Sequence, residues 1–264
     1  MTFAEASAIK GSPGSWTAEI QEGWDIFGIS NGGYLMAVAT RAMEAESGGR
    51  RLISATGHFL NPTTAGPVAI DVATLKEGRS LSTLRARLSR HDKQLLTVTA
   101  VLSDPERPVS SADLTTAEPP DLPPPEDCIP VEPAESAPIP PPLTGKIDLR
   151  MAPDDFAAFG EERDGQPISQ GWFRLRDGEP MDAHAVVLAT DSFPPAIFNS
   201  KLPLGWTPTI DLNVQVRNPN PTGWLACRFT THFVTDGMLE EDGVIWDQEG
   251  RLVAISRQFA LVSR

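Results

Sequence analysis

The stretch His58-Phe-Leu-Asn-Pro-Thr-Thr-Ala-Gly66 returns in outline as Gln215-Val-Arg-Asn-Pro-Asn-Pro-Thr-Gly223, 157 residues further along the chain. The Asn-Pro pair and the glycine keep their places. At the same offset, and with no gap, Ala69 falls on Ala226, Thr74 on Thr231 and Leu95 on Leu252. Turn prolines, turn glycines and strand positions that share one offset point to a tandem duplication.

Around each landmark lies the same order of elements. Upstream of the first, Tyr34-Leu-Met-Ala-Val-Ala-Thr-Arg-Ala-Met43 is rich in helix formers, follows Asn31-Gly32-Gly33 and stops at Gly48-Gly49, which predicts one helix with an Asn cap and a glycine stop. Strands are expected near 52–61, 67–77, 81–90 and 94–103, where Val, Ile, Leu and Thr alternate brokenly between turn signals. A helix-like run from Asp182 to Ser192 then precedes strands near 208–217, 223–234, 241–247 and 251–262. In the first of these, Ile210, Leu212, Val214 and Val216 share one face. One helix with an antiparallel meander, present twice, makes an α+β protein.

Between the copies the composition changes: residues 105–142 hold 13 of the 25 prolines, eight acids and one base. Such a segment favours extended geometry and builds no core of its own. The expected organisation is therefore a first unit over 1–104, an acidic proline-rich linker over 105–145 and a second unit over 146–264. The net charge of −13 opposes binding to nucleic acid or anionic membranes. The longest apolar run, Tyr34 to Ala39, is far too short to span a bilayer, and the N-terminus lacks a basic, then apolar, leader. A cytoplasmic protein is expected. Cys128 and Cys227 stand apart with no metal-ligand spacing, so free thiols and no metal site are expected.

Several motifs carry a family likeness. His58-Phe-Leu-Asn-Pro62 with Asp71-Val-Ala-Thr-Leu-Lys-Glu-Gly-Arg-Ser-Leu81 resembles the first half of the acyl-CoA thioesterase II family. Ala189-Thr-Asp-Ser192, Pro208-Thr-Ile-Asp211 and Gly250-Arg-Leu-Val-Ala-Ile-Ser-Arg-Gln-Phe259 resemble its second half, in order and spacing. The likeness covers nearly the whole chain outside the linker. Leu212 stands where a histidine is usual in the family. The resemblance implies a double hotdog, two tandem units each with a central helix wrapped by an antiparallel sheet. It also implies hydrolysis of a fatty acyl-CoA by a water held among Asp191, Thr209 and Gln258, without metal or redox cofactor.

Residue chemistry bears on these positions. Thioester hydrolysis needs a water that loses a proton as it attacks, which a carboxylate within hydrogen-bond reach can accept. Asp191 is the only acid between Ala183 and Ile197, and apolar surroundings raise a carboxyl's pKa. An Asp before proline also serves simply as a turn cap. Gln258 interrupts a face of small residues (Ala254, Ser256, Ala260), whereas Thr209 is an ordinary strand residue by pattern alone. The 157 offset places Asp191 on Tyr34, Thr209 on Leu52 and Gln258 on Val101, so the first copy lacks all three groups. Backbone N–H groups of Gly32 and Gly33 at a helix start could polarise a thioester carbonyl, or the glycines could serve close packing. For coenzyme A phosphates the candidates are Arg79, Arg85 and Arg87 within a locally basic stretch, although solvated strand faces favour Arg too.

Three further readings bear on function. Gly28-Ile-Ser-Asn-Gly32 matches a serine-hydrolase elbow, but too little chain precedes it for the βα units that the elbow follows. A hydratase on this fold would want an Asp and a His beside Asn61-Pro62, where Phe59 and Thr64 stand. An acyl-CoA-binding module without turnover is the non-enzymatic alternative. Edge strands of such sheets are commonly hidden by association, so a homo-oligomer is expected.

Overall fold

The computed structural model describes residues 1–107, 110–133, 140–153, 165–202 and 205–262. In the first half the α-helices are α1 (Phe3–Ala6) and α2 (Gly32–Glu46), and the strands of the main sheet are β1 (Ile9–Ser12), β2 (Ser15–Ile20), β3 (Arg51–Phe59), β4 (Gly66–Glu77), β5 (Leu81–Arg90) and β6 (Lys93–Ser103), beside a small separate hairpin of Asp25–Ile26 with Ile29–Ser30. In the second half β7 (Ile129–Pro130), β8 (Ile147–Met151) and β9 (Ile168–Leu175) precede α3 (Ala183–Ala189). After it come β10 (Thr209–Val216), β11 (Leu225–Thr230), β12 (Val234–Thr235), β13 (Met238–Asp247) and β14 (Leu252–Leu261). Among the described residues these strands form one antiparallel sheet in the order β1-β2-β4-β5-β6-β3-β10-β14-β13-β11-β9-β8-β7, with β12 on β13.

Each half curls its part of the sheet around its own helix, as the expected double hotdog requires. The sequence explains why α2 lies inside. Asn31 accepts the Tyr34 N–H at 2.9 Å as its cap, and every side chain from Tyr34 to Ala39 is buried. A helix that is apolar all round must be enclosed. Against it lie Val68, Ile70 and Val72 of β4, Leu84, Ala86 and Leu88 of β5, and Leu96, Val98 and Leu102 of β6. Each fully buried Leu or Val contributes about 1.5–3 kcal/mol. Tyr34 stacks on Trp24, donates to the Ala6 carbonyl at 2.6 Å and accepts from the Gln21 N–H at 3.1 Å, so its hydroxyl is satisfied in the core.

In the sheet the halves join through a single seam, β3 against β10. Its register pairs Asp211 with His58, Asn213 with Thr56 and Gln215 with Ser54. Thr56 and Asn213 are 157 residues apart, so each meets its own counterpart across the seam, and the Asn213 amide donates to the Thr56 hydroxyl at 2.7 Å. A pseudo-two-fold axis therefore passes between them, as a duplicated unit closing on its copy demands. β-Bulges agree: that between Leu52 and Ser54 recurs between Thr209 and Asp211, and that between Leu88 and Ser89 recurs between Ile245 and Trp246.

The gap-free offset nonetheless fails in two places. The β5–β6 turn is His91-Asp92, whereas Gln248-Glu249-Gly250 lies between Asp247 and Arg251, one residue longer. Beyond it the equivalence slips by one: Leu212 pairs with Gln258 while its counterpart Ala55 pairs with Ala100, so Gln258 corresponds to Ala100 and not to Val101. The helices slip by six. Their caps, Asn31 and Asp182, are 151 residues apart, which places Asp191 opposite Thr40 in helix register and not opposite Tyr34.

Strands β1, β2, β8 and β9 extend both halves beyond the four expected in each. Part of the proline-rich segment also joins the second half: Ile129–Pro130 adds an edge strand to β8, the Trp172 indole donates to the Pro123 carbonyl at 2.8 Å, and Cys128, Val131 and Leu143 are buried. Proline is tolerated at such an edge because no ladder hydrogen bond is asked of it. Both cysteines are free. Among the described residues no helix is long and apolar enough to cross a membrane.

Candidate active site

Helix α3 has only seven residues, against fifteen in α2. Asp182 caps its start with hydrogen bonds from the His184 and Ala185 N–H groups at 3.0 and 2.8 Å. Past Thr190 the chain turns toward Pro194-Pro195, which cannot continue a helix. Asp191 stands at this break, and its side chain leaves its own half for the N-terminus of α2 in the other.

There Oδ2 of Asp191 accepts the Gly33 N–H at 2.9 Å and the Asn31 amide at 3.0 Å, and its main-chain carbonyl accepts from the same amide at 2.6 Å. The approach depends on glycine: a Cβ at Gly32 would lie 2.9 Å from Asp191 Oδ2 and 2.7 Å from the Phe59 ring, and one at Gly33 would lie 3.0 Å from the Val187 and Leu188 carbonyls. Gly32 and Gly33 thus allow the two helices to meet. The Gly33 N–H, expected to face a substrate carbonyl, is directed at Asp191 instead. A carboxylate at a helix N-terminus satisfies orphan donors that would otherwise await a ligand.

Burial pushes the Asp191 carboxyl up to about 6, against the opposing effect of the Gly33, Gly32 and Asn31 hydrogen bonds. The pattern of an acid in an apolar run anticipated that direction.

Thr209 and Gln258 are brought together. The Gln258 amide donates to the Thr209 hydroxyl, bridging β14 to the bulge of β10. Gln258 is buried on the inner face with Ala254, Ser256 and Ala260, and across the ladder it opposes Glu241 of β13. Sequence reasoning missed Glu241. Its signal was available: Leu239, Glu241, Gly243 and Ile245 share the buried phase of β13, so one acid occupies a core position. Glu241 accepts the Ala196 N–H at 2.5 Å, five residues after Asp191, and burial, with the Asp191 charge adding to it, pushes its carboxyl up to about 7. The two acids are close enough to feel each other.

The arginines lie elsewhere. Arg85 and Arg87 alternate with buried Leu84, Ala86 and Leu88, so they occupy the outer face of β5, while Asp191 and Gln258 belong to the inner side. Two strands separate β5 from β10, which at about 4.8 Å per step puts them roughly 14 Å apart. Arg79 is exposed in the β4–β5 turn. Within the chain these three do not converge on Asp191. Neither histidine considered as a base for Ser30 of the Gly28–Gly32 elbow serves it: His184 spends its two ring nitrogens on Thr40 and Glu44, and His232 lies beside Phe233.

Residues 20–103 match the acyl-CoA thioesterase N-terminal domain, and residues 125–262 match the acyl-CoA thioesterase C-terminal domain. Among solved structures, one from Thermobifida fusca assigned as a thioesterase II superposes with a TM-score of 0.88 at 32% identity, covering 100% of this chain and 98% of that one. A hot dog fold protein of unknown function from Alicyclobacillus acidocaldarius has a TM-score of 0.86 at 21% identity, covering 99% and 98%, and speaks for the fold alone. An uncharacterized protein of Mycobacterium tuberculosis is 26% identical over 92% of this chain and 89% of its own length.

Proposed function

Because the chain belongs to the acyl-CoA thioesterase family, we propose that it hydrolyses fatty acyl-CoA thioesters to the free acid and coenzyme A, with Asp191 as general base and Thr209 and Gln258 orienting the water. One observation carries this reading: the Asp191 carboxylate is half-buried and held by the N-terminus of α2, with a pKa of about 6. At neutral pH such a group is mostly ionised and still basic enough to accept a proton from water. As it does so, the new hydroxide adds to the thioester carbonyl carbon, and collapse of the tetrahedral intermediate breaks the C–S bond. Gln258 and Thr209 form one hydrogen-bonded pair, so a water held by either has its orientation restricted.

The test is release of free thiol from acyl-CoAs of short to long chain, with ligand binding followed in parallel. Turnover is expected to rise as pH passes about 6, where Asp191 ionises. Asp191→Asn should lower kcat by roughly 10²–10⁴ while binding persists. Full activity in that variant would refute the assigned base. Binding without turnover in the wild type would make the protein a non-catalytic acyl-CoA binder.

A further inference from the structure

Glu241 is 7% exposed, directly opposes Gln258 across the ladder, and holds the Ala196 N–H at 2.5 Å on the loop that carries Asp191. Its counterpart in the first half, 157 residues earlier, is Leu84, which is wholly buried. Core strand positions do not acquire a carboxyl for stability, since an acid there costs desolvation that leucine avoids. The acid occurs only in the half that also carries Thr209 and Gln258, where the first half has Leu52 and Ala100.

We propose that Glu241 is the proton-holding partner of Asp191: it carries a proton in the resting site and delivers it to the sulfur of the departing thiolate. This rests on the thioesterase reading above. Asp191 takes one proton from the attacking water as the C–O bond forms. When the C–S bond breaks, the electron pair goes to sulfur, which takes the Glu241 proton. The site is then left with protonated Asp191 and ionised Glu241, and transfer of that proton between them restores the starting state. Water and thioester become acid and thiol with nothing left over.

Charges around Glu241 agree with these roles. Asp191 faces it from the loop after α3, and Glu240 adjoins it on β13 but points to the outer face, where its carboxylate accepts the His232 and Phe233 N–H groups. Gln258 opposite is neutral, and Arg257 of β14 is paired with Asp242 at 2.6 Å on the outer face. Its carboxyl, pushed up to about 7, stays above Asp191 at about 6. Of two close carboxyls the one with the higher affinity retains the shared proton.

The experiment compares wild type, Glu241→Gln and Glu241→Asp on two thioesters of one acyl group, a coenzyme A thioester and an S-aryl thioester whose thiol is acidic enough to leave unprotonated. Glu241→Gln keeps an acceptor for Ala196 but carries no transferable proton. It should lose tenfold or more in kcat on the coenzyme A thioester, with KM nearly unchanged, and less than about threefold on the aryl thioester. It should also lose the alkaline fall of the wild-type pH profile, and Glu241→Asp should restore part of the rate. Equal losses on both substrates at unchanged melting temperature would mean a merely structural role and overturn the proposal. No loss on either would do the same. A wild type that cleaves neither thioester would instead refute the thioesterase reading itself.

Discussion

The two halves share a sheet order, two bulges and a seam in which each meets its own counterpart, yet their polar groups differ. In the first half the positions matching Thr209, Glu241 and Gln258 are Leu52, Leu84 and Ala100, all buried and apolar. Its helix runs fifteen residues and begins with two glycines; the second helix runs seven and begins Ala183-His184. The half with the long helix offers an open helix N-terminus, and the half with the short one sends a carboxylate into it.

At the place related to Asp191 and Gly33 by the helix register stand Thr40 and His184. Thr40 is 2.9 Å from His184 Nδ1, and Glu44 is 3.1 Å from Nε2 while also accepting the Leu52 N–H at 2.7 Å. Every member of that group is partnered, so it works as a staple between the halves. The same crossing of two helices thus yields a carboxylate seated on a helix N-terminus at one end and a satisfied knot at the other. Duplication supplies two equivalent places, and the proposed function needs only one of them.

This division can be tested by exchange. Leu84→Glu places in the first half the acid of the second without its Ala196 partner, and should cost about 3–5 kcal/mol, read by chemical denaturation; Glu241→Leu should leave stability unchanged or higher while turnover falls. Tolerance of Leu84→Glu would show that the halves differ less than their cores imply. Next comes Gly32→Ala, which gives the first helix the residue type that opens the second. The added Cβ displaces the Asp191 carboxylate and the Phe59 ring, both ends of side chains, so steady-state kinetics should show about a 10²-fold loss with a small change in melting temperature.

A smaller effect concerns pH. Asp191 and Glu241 bind protons more tightly folded than unfolded, so their contribution is fully present below about pH 4 and is lost as pH rises through about 6 and 7. Between pH 6 and 8 stability should fall by about 2 kcal/mol, and the Asp191→Asn, Glu241→Gln double variant should flatten the profile. An unchanged slope would show that neither carboxyl is shifted. Last, Asn213→Ala at the seam removes the amide's hydrogen bonds to the Thr56 hydroxyl and the Ala55 carbonyl and should cost about 1 kcal/mol without altering kcat.

Much of this was legible in the sequence because the duplication makes its own alignment. The α2 cap and the meanders of both halves follow from local patterns, and the family likeness singled out Thr209 and Gln258, which the fold brings into contact. Ser15-Trp-Thr-Ala-Glu-Ile20 alternates cleanly, with Trp16, Ala18 and Ile20 turned inward, but it precedes the helix and was not read as part of the sheet. Ile168-Ser-Gln-Gly-Trp-Phe-Arg-Leu175 conceals its phase behind Ser169 and Gly171, small residues on the buried face. Gly171 is obligatory there, since a Cβ would fall 2.0 Å from the Arg150 carbonyl. Arg85 and Arg87 share one strand face, as their spacing predicts, but a basic cluster in sequence does not say how far that face stands from Asp191. What no single-chain pattern could reveal is the crossing of α2 and α3, which turns the Asn31-Gly32-Gly33 amides toward Asp191.

The seam has a last consequence. Because Thr56 lies opposite Asn213, its own counterpart, the joining edge is written as a palindrome. A second β3 edge would meet β3 in the same register, with Thr56 facing Thr56, so an uncovered edge is open to a neighbouring molecule. The covalent strap settles that competition by raising the local concentration of the correct partner far above that of a neighbouring molecule. During synthesis the first half emerges with this adhesive edge uncovered, and the proline-rich segment is the interval it must wait before its own second half can close the sheet.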